Sequence, residues 1–439
     1  MRLQIEKVVY GGAGLAHQAE AGKAVFVPFT LPGEIVEAEL SVEKDAYGGA
    51  ELVRVIEASS DRVAPGCVHF GACGGCQLQH AEYSAQMRMK AGILRESLER
   101  VGLVELPEVQ SHGDAFWGYR NRIRLRIAEM DGALRLGYNR RGSNEFLPIQ
   151  ECPIAAPLLW RAASALLKLA ETDKGAERWL RGAVEIEFFS NGDETKLQMT
   201  LFVRGALSAD LKGLCERLRV VVPELVGAGV SILAKESALR SRRTERPAAG
   251  ASWGAEGLLY RAAGADYWVS RGGFFQVNRF LIDTMVRLVT EGREGRLAWD
   301  LYAGVGLFSK ALAKAFERVV GVEGSETAAA DLAGTLKGPR TQAICASTVD
   351  FLRHTVIQRE RPEVVVMDPP RAGLGADVCE LLVRLKAAEL VYVSCDPVTL
   401  ARDLKVLVDG GYALVELHLV DMFPQTFHQE TVVVLRRGA

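Results

Sequence analysis

The sequence predicts an α/β protein: a doubly wound sheet in the C-terminal part, preceded by a small β-barrel and a central α+β region. Three observations carry this reading. From Leu297 onward, short apolar runs alternate with helical stretches, as in a parallel sheet covered by helices. The first 58 residues hold short strand-like runs separated by glycine and proline turns, the spacing of a small barrel. The residues between mix helical and strand-like segments.

At 439 residues, on the order of 100–200 residues per domain gives two to four domains. Hydrophobic residues make up 49%, enough for a large core and against global disorder. No apolar run approaches the ~20 residues needed to span a bilayer, and Met1–Tyr10 alternates charged and apolar residues without a secretory core. A cytoplasmic protein with no membrane partner is expected. A net charge of −2 disfavours nonspecific coating of nucleic acid and leaves room for a local basic surface. The eight cysteines are not expected to form disulfides in a large cytosolic enzyme.

In the barrel the expected strands are 2–9, 23–29, 34–42 and 50–58, separated by Gly11-Gly12-Ala13-Gly14, Leu31-Pro32-Gly33 and Tyr47-Gly48-Gly49. A cysteine-rich loop, 64–80, follows, and 81–103 has helical apolar periodicity. The central region, about 115–268, opens on Tyr119-Arg120-Asn121-Arg122-Ile123-Arg124-Leu125-Arg126. As a strand this places its arginines on one face. The C-terminal strands are expected at 296–301, 318–323, 363–368, 390–394, 413–420 and 431–436.

Several segments of that sheet carry chemistry. Asp300-Leu301-Tyr302-Ala303-Gly304-Val305-Gly306-Leu307-Phe308-Ser309 lies at a strand-to-helix junction, where Gly304 and Gly306 let the backbone turn tightly and approach a ligand. Glu323 ends the next strand and can accept hydrogen bonds from ribose hydroxyls. A pyrophosphate loop needs a third small residue for close packing, and Ser309 stands there with no arginine pattern for a 2′-phosphate. The loop therefore suits S-adenosylmethionine better than NAD. Asp368-Pro369-Pro370-Arg371 puts a carboxylate at a strand's C-terminal edge, where ligands of open α/β sheets bind. Cys395 follows the strand ending in Ser394 and precedes a helix opened by Pro397. A helix N-terminus favours the thiolate, the nucleophilic form. Glu430, ahead of the apolar run 432–435, can act as a proton acceptor.

Together these segments resemble the RNA 5-methyluridine methyltransferases. The resemblance rests on Phe275-Gln276-Val277-Asn278, the loop 300–309, Gly321-Val322-Glu323, Asp368-Pro369-Pro370-Arg371, Ser394-Cys395-Asp396-Pro397 with 399–403, and His428-Gln429-Glu430-Thr431. It implies a Rossmann-like methyltransferase domain with S-adenosylmethionine as donor. Gln276, Tyr302, Gly304, Gly306, Glu323 and Asp368 would bind the donor, Cys395 would be the nucleophile and Glu430 the base. Leu307 and Ala346-Ser347 depart from positions where some members carry a polar donor contact.

Cys67, Cys73 and Cys76, with Cys152 beyond a further 75 intervening residues, could hold zinc or an iron–sulfur cluster. The spacing looks like that of members with a [4Fe–4S] cluster that act on 23S ribosomal RNA. Residues 1–58 are similar to the TRAM module, an OB-like RNA-binding barrel, although this one holds five Lys/Arg against nine acids. RNA contact is therefore expected from the arginine strand and from Arg240, Arg242, Arg243 and Arg246. The resulting organisation is 1–58 barrel; 59–81 and 115–268 central iron–sulfur and RNA-binding domain; 82–114 and 269–439 methyltransferase domain. Competing readings are the same chemistry on the tRNA T-loop uridine, an iron–sulfur redox enzyme with a dinucleotide, and an RNA-binding module with an inactive domain. The missing third glycine disfavours the second, and intact Cys395 and Glu430 disfavour the third.

Overall fold

A computed structural model describes residues 1–18, 22–205, 207, 209–233, 248–358 and 360–438. The chain divides into two compact units. The first comprises Met1–Phe116, Arg296–Leu301 and Thr348–Ala439, and the second Trp117–Gly295 and Tyr302–Ser347.

The first unit begins with a six-stranded sheet in the order Arg2–Gln4, Ile35–Glu43, Tyr47–Glu57, Ala24–Pro28, Ala13–His17, Lys7–Val8. The strand Ala24–Pro28 alternates buried and half-buried residues, as one-sided strands do. Leu3, Val25, Val27 and Val36 form its core. The expected strand 2–9 is broken in two, and Ala13–His17 is a strand where only a glycine turn was expected. Small residues disguised it: glycine is required at 14, because a Cβ there would run into the Thr30 hydroxyl and Ile5. Helix Tyr83–Arg100 follows, capped by the Glu82 carboxylate on Ser84 N–H at 2.6 Å.

The same unit carries strands in the order Gly295–Leu301, Val364–Met367, Glu389–Ser394, Glu430–Arg437, Tyr412–Val420, Val109–His112. The first three run parallel. Glu430–Arg437 is antiparallel to both neighbours. Helices Thr348–Gln358, Ala376–Leu385 and Pro397–Asp409 connect the strands. This is the expected strand–helix alternation. The parallel strands are buried almost throughout, as sheets covered on both faces must be.

The second unit holds a seven-stranded sheet in the order Phe146–Pro148, Ala133–Asn139, Arg122–Met130, Ala183–Ser190, Leu197–Val203, Leu225–Ile232, Ala248–Gly254. Helices Pro157–Thr172, Lys174–Gly182 and Leu211–Val221 belong to it. A hairpin, Gly257–Ala262 with Ala265–Ser270, and helix Ile282–Thr290 follow. The parallel strands Phe316–Glu323 and Thr341–Cys345, with helices Leu307–Leu312 and Glu326–Thr335, complete the unit. Among the described residues no helix is long and apolar enough to cross a membrane.

Candidate active site

In the first unit, Cys395 and Asp396 link the strand ending at Ser394 to the helix starting at Pro397. Asp396 caps that helix: Oδ1 accepts from the N–H groups of Val398 at 3.0 Å and Thr399 at 2.9 Å. The strand Glu430–Arg437 runs beside it with Thr431 opposite Ser394. One residue further in each direction, Cys395 comes to stand across from Glu430, where the parallel strands end. Strand Val364–Met367 ends on the same edge, so Asp368 opens there too. The N–H of Asp368 donates to the carbonyl of Leu301 at 3.3 Å, next to the fully buried Asp300.

Charges at this edge oppose one another. Burial raises the Glu430 carboxyl well above the ordinary range, and Asp368 adds to it. Burial also raises Asp368, with Asp300 adding to the effect. The Cys395 thiol is pushed up to about 12, by burial first, then by Glu430, Asp368 and Asp396, with Arg371 alone acting the other way. The expectation that the helix N-terminus favours the thiolate is thus corrected. The Asp396 carboxylate already occupies the free N–H groups of the first turn, and the helix field fades within that turn. The resting sulfur is a thiol.

The loop leading to Glu430 is held by residues that sequence reasoning missed. On helix Tyr83–Arg100, the Gln86 amide donates to Gln425 Oε1 at 3.0 Å, and its oxygen accepts the Gln425 N–H at 2.9 Å. One turn on, Lys90 Nζ donates to Asp421 Oδ1 at 2.6 Å and to the Phe423 carbonyl at 3.1 Å. Lys90 and Asp421 are both fully buried. The N–H groups of Gln77 and Leu78, in the cysteine-rich loop, both reach the Gln425 carbonyl at 3.0 Å. The available signal was Gln86 and Lys90 four residues apart on one helix face, amid residues read only for apolar periodicity.

The second unit forms the glycine loop. Tyr302, Gly304 and Gly306 have φ of +61°, +55° and +89°. A Cβ on Gly306 would stand 2.8 Å from Leu332, so glycine is required by both backbone and packing. Glu323 accepts from Gly304 N–H at 2.9 Å and Ser325 N–H at 2.6 Å. Each carboxylate oxygen can accept more than one hydrogen bond, so ribose hydroxyls can still be bound. Gln276 is buried, and its carbonyl accepts from Asn121 Nδ2 at 2.8 Å.

The arginine strand lies in this unit, and its arginines have internal partners. Arg122 is mostly buried and pairs with Glu187 at 3.1 Å. It also donates to the Gly273 carbonyl at 2.7 Å and lies 4.1 Å over the Phe189 ring. Arg124 pairs with Glu185 and lies 3.6 Å over Phe202. Arg126 donates to Asn139 Oδ1 at 2.7 Å and the Asn144 carbonyl at 2.8 Å. The expectation of a phosphate-binding row is therefore corrected at Arg122, which alternation alone could not tell from an exposed arginine. Arg240, Arg242, Arg243 and Arg246 lie outside the described residues.

Cys67, Cys73 and Cys76 lie half-buried in the first unit, and Cys152, also half-buried, in the second. Burial raises the Cys73 thiol, with a contribution from Cys67. Among the described residues no three His, Cys, Asp or Glu side chains converge as a metal site. No observation among the described residues carries the expected [4Fe–4S] cluster, and no chemical step is drawn through it.

Residues 340–438 match the family model described as tRNA (Uracil-5-)-methyltransferase. The chain is 33% identical over 444 residues to an uncharacterized RNA methyltransferase of Aquifex aeolicus, covering 99% of this chain and 98% of that one. It is 34% identical over 448 residues to the 23S rRNA (uracil(1939)-C(5))-methyltransferase RlmD of Halomonas elongata, covering 99% and 89%. Among solved structures, the Pyrococcus abyssi tRNA (uracil-54, C5)-methyltransferase in complex with S-adenosyl-L-homocysteine matches with a TM-score of 0.76 and 25% identity. That match covers 99% of this chain and 100% of that one.

Proposed function

Since the chain belongs to the RNA uracil-C5 methyltransferase family, we propose that it methylates carbon 5 of one uridine in 23S ribosomal RNA through a covalent Cys395 adduct. S-adenosylmethionine supplies the methyl group, and Gln276, Tyr302, Gly304, Gly306, Glu323 and Asp368 are assigned to its binding. The observation carrying this reading is the register that sets Cys395 across from Glu430 at the end of two paired strands.

Carbon 5 of uracil is a poor nucleophile. With the sulfonium bound, the Cys395 thiol gives its proton to solvent and the thiolate attacks carbon 6; a sulfur–carbon bond forms, and the double-bond pair moves into an enolate over carbon 5 and oxygen 4. Carbon 5 takes the methyl group as the sulfonium–methyl bond breaks. Glu430 then removes the proton from carbon 5, the double bond re-forms, and the thiolate leaves. Glu430 acts as a base from its carboxylate form, which the bound sulfonium favours; its raised value makes that carboxylate a stronger proton acceptor than an exposed one. A raised thiol means that Cys395 awaits bound substrates; the positive sulfonium offsets the carboxylates that oppose its ionisation. A base in folded RNA must be extruded to reach such an edge.

The 34% likeness to a 23S rRNA enzyme favours ribosomal RNA, acted on in the cytoplasm; the likeness to a tRNA enzyme favours the T-loop uridine. Mass mapping of 5-methyluridine in ribosomal and transfer RNA from a strain lacking this protein separates them. The expected outcome is loss of one 23S site with tRNA unchanged. Loss confined to the tRNA T-loop would reverse the assignment.

A further inference from the structure

The loop carrying Cys395 is touched by the N-terminal barrel. Between strands Lys7–Val8 and Ala13–His17 the chain turns through Tyr10-Gly11-Gly12. The turn is closed by Val9 N–H on the Ala13 carbonyl and Gly12 N–H on the Val9 carbonyl, each 2.9 Å. At its tip the Tyr10 hydroxyl donates to Asp396 Oδ2 at 2.8 Å. The Tyr10 ring meets Phe427, two residues before Gln429-Glu430, edge-on at 5.4 Å. The turn is wedged in place. Gly12 has φ +86°, and a Cβ there would stand 2.9 Å from Gln77 Cβ and 3.5 Å from Phe427 Cβ. Val8, just before the turn, is buried against Leu78 and Ile93.

Asp396 therefore divides its carboxylate. Oδ1 caps the helix and Oδ2 takes the phenol. Donors on both oxygens hold the group in one orientation, and with it the peptide that begins at Cys395. We propose that Tyr10 is a positioning residue for methyl transfer: by fixing Asp396 from the barrel, its hydroxyl sets how readily Cys395 attacks. This rests on the reading of Cys395 as nucleophile.

The electrostatic setting supports the same direction. Cys395 faces Glu430 on the neighbouring strand, Asp368 and Arg371 after strand Val364–Met367, and Asp396 beside it. Tyr10 faces Asp396, Arg371 and Cys395. His428 stands 3.3 Å from Arg371. Of the carboxylates opposing the thiolate, Asp396 is the one tied to the barrel. A phenol donor draws its charge onto Oδ2 and tempers the repulsion.

The test uses full-length wild type, Tyr10→Phe, Asp396→Asn and Cys395→Ala. The substrate is a 23S rRNA transcript carrying 5-fluorouridine throughout, with S-adenosylmethionine. Fluorine cannot leave as a proton, so attack ends in an adduct that survives denaturing electrophoresis. Its rate of formation is followed from pH 6 to pH 9. For Tyr10→Phe we expect the rate at pH 7 to fall about three- to tenfold, with the pH profile moved to higher pH. RNA affinity and melting temperature should change little. Asp396→Asn, which can still cap the helix, should move the profile to lower pH, and it carries the test alone if Tyr10→Phe does not fold. A Tyr10→Phe profile lying on the wild-type one, or a uniform loss of rate with no displacement, would overturn the inference. An unmoved Asp396→Asn profile would overturn it equally. No wild-type adduct, together with normal methylation by Cys395→Ala, would remove the nucleophile itself and the inference with it.

Discussion

A carboxyl buried beside other carboxyls holds its proton more tightly than an exposed one, and that has consequences for both stability and chemistry at Glu430. Its folded value is raised by burial and by Asp368, so the folded chain holds a proton that the unfolded chain releases. Stability is then fully present below the unfolded carboxylate value and is lost as pH rises toward the folded one. Glu430→Gln removes that penalty. The donor-free variant should melt higher than wild type at pH 8, by roughly 2–4 °C for each kcal/mol relieved, and the gap should close toward pH 4. The same variant should methylate its RNA once and stall as a denaturation-resistant adduct carrying the donor's methyl group, whereas Cys395→Ala should form none. Normal turnover by Glu430→Gln would move the base elsewhere, and a lower melting point at pH 8 would contradict the buried-proton argument. The strand-end positions of Cys395 and Glu430 were legible in the sequence, because each adjoins an apolar run. The raised thiol was not legible, since it depends on Asp368 and Glu430 arriving from strands far apart in the chain.

Among the elements, the six expected C-terminal strands were found to within a residue or two, because each is built around at least two consecutive apolar residues. Val109–His112 was missed, since its sequence Val-Gln-Ser-His carries no apolar pattern and it exists by pairing with Tyr412–Val420. Thr341–Cys345 was missed for a similar reason: a five-residue strand of half-buried and exposed residues gives little signal. The arginine strand shows how an element can be placed correctly and its use misread. Its period of two was evident, yet only the structure shows Glu187 and Glu185 on the next strand opposite Arg124 and Arg126. Arg122→Ala would leave Glu187 without its partner. Breaking such a buried pair costs about 3–5 kcal/mol, so a clear fall in melting temperature is expected, with the salt dependence of RNA binding unchanged. A stable variant with a flattened salt slope would return Arg122 to the RNA surface.

For the molecule as a whole, the spacing of the cysteines and their side-chain arrangement point to different iron contents. The spacing of Cys67, Cys73, Cys76 and Cys152 calls for about four irons per chain with matching sulfide, and the described side chains form no metal site. Elemental analysis of anaerobically purified protein decides it. Four irons would mean the glycine-rich loop closes around a cluster, and iron-free protein would leave these cysteines as packing residues. The cysteine-rich loop bears on the loop that leads to Glu430 whatever it holds, because the Gln77 and Leu78 N–H groups grip the Gln425 carbonyl. The sheet of the first unit also carries a timing constraint. Glu430–Arg437 lies between Glu389–Ser394 and Tyr412–Val420, and the ribosome makes it after both. While the chain is growing, those two strands must remain unjoined, with a slot open between them. The strand that closes the slot brings Glu430, the proposed base, with it, so on that proposal completion of the sheet and acquisition of activity are one event. A nascent chain that stops short of it has no partial enzyme to offer, only two strand edges exposed to chaperones and proteases.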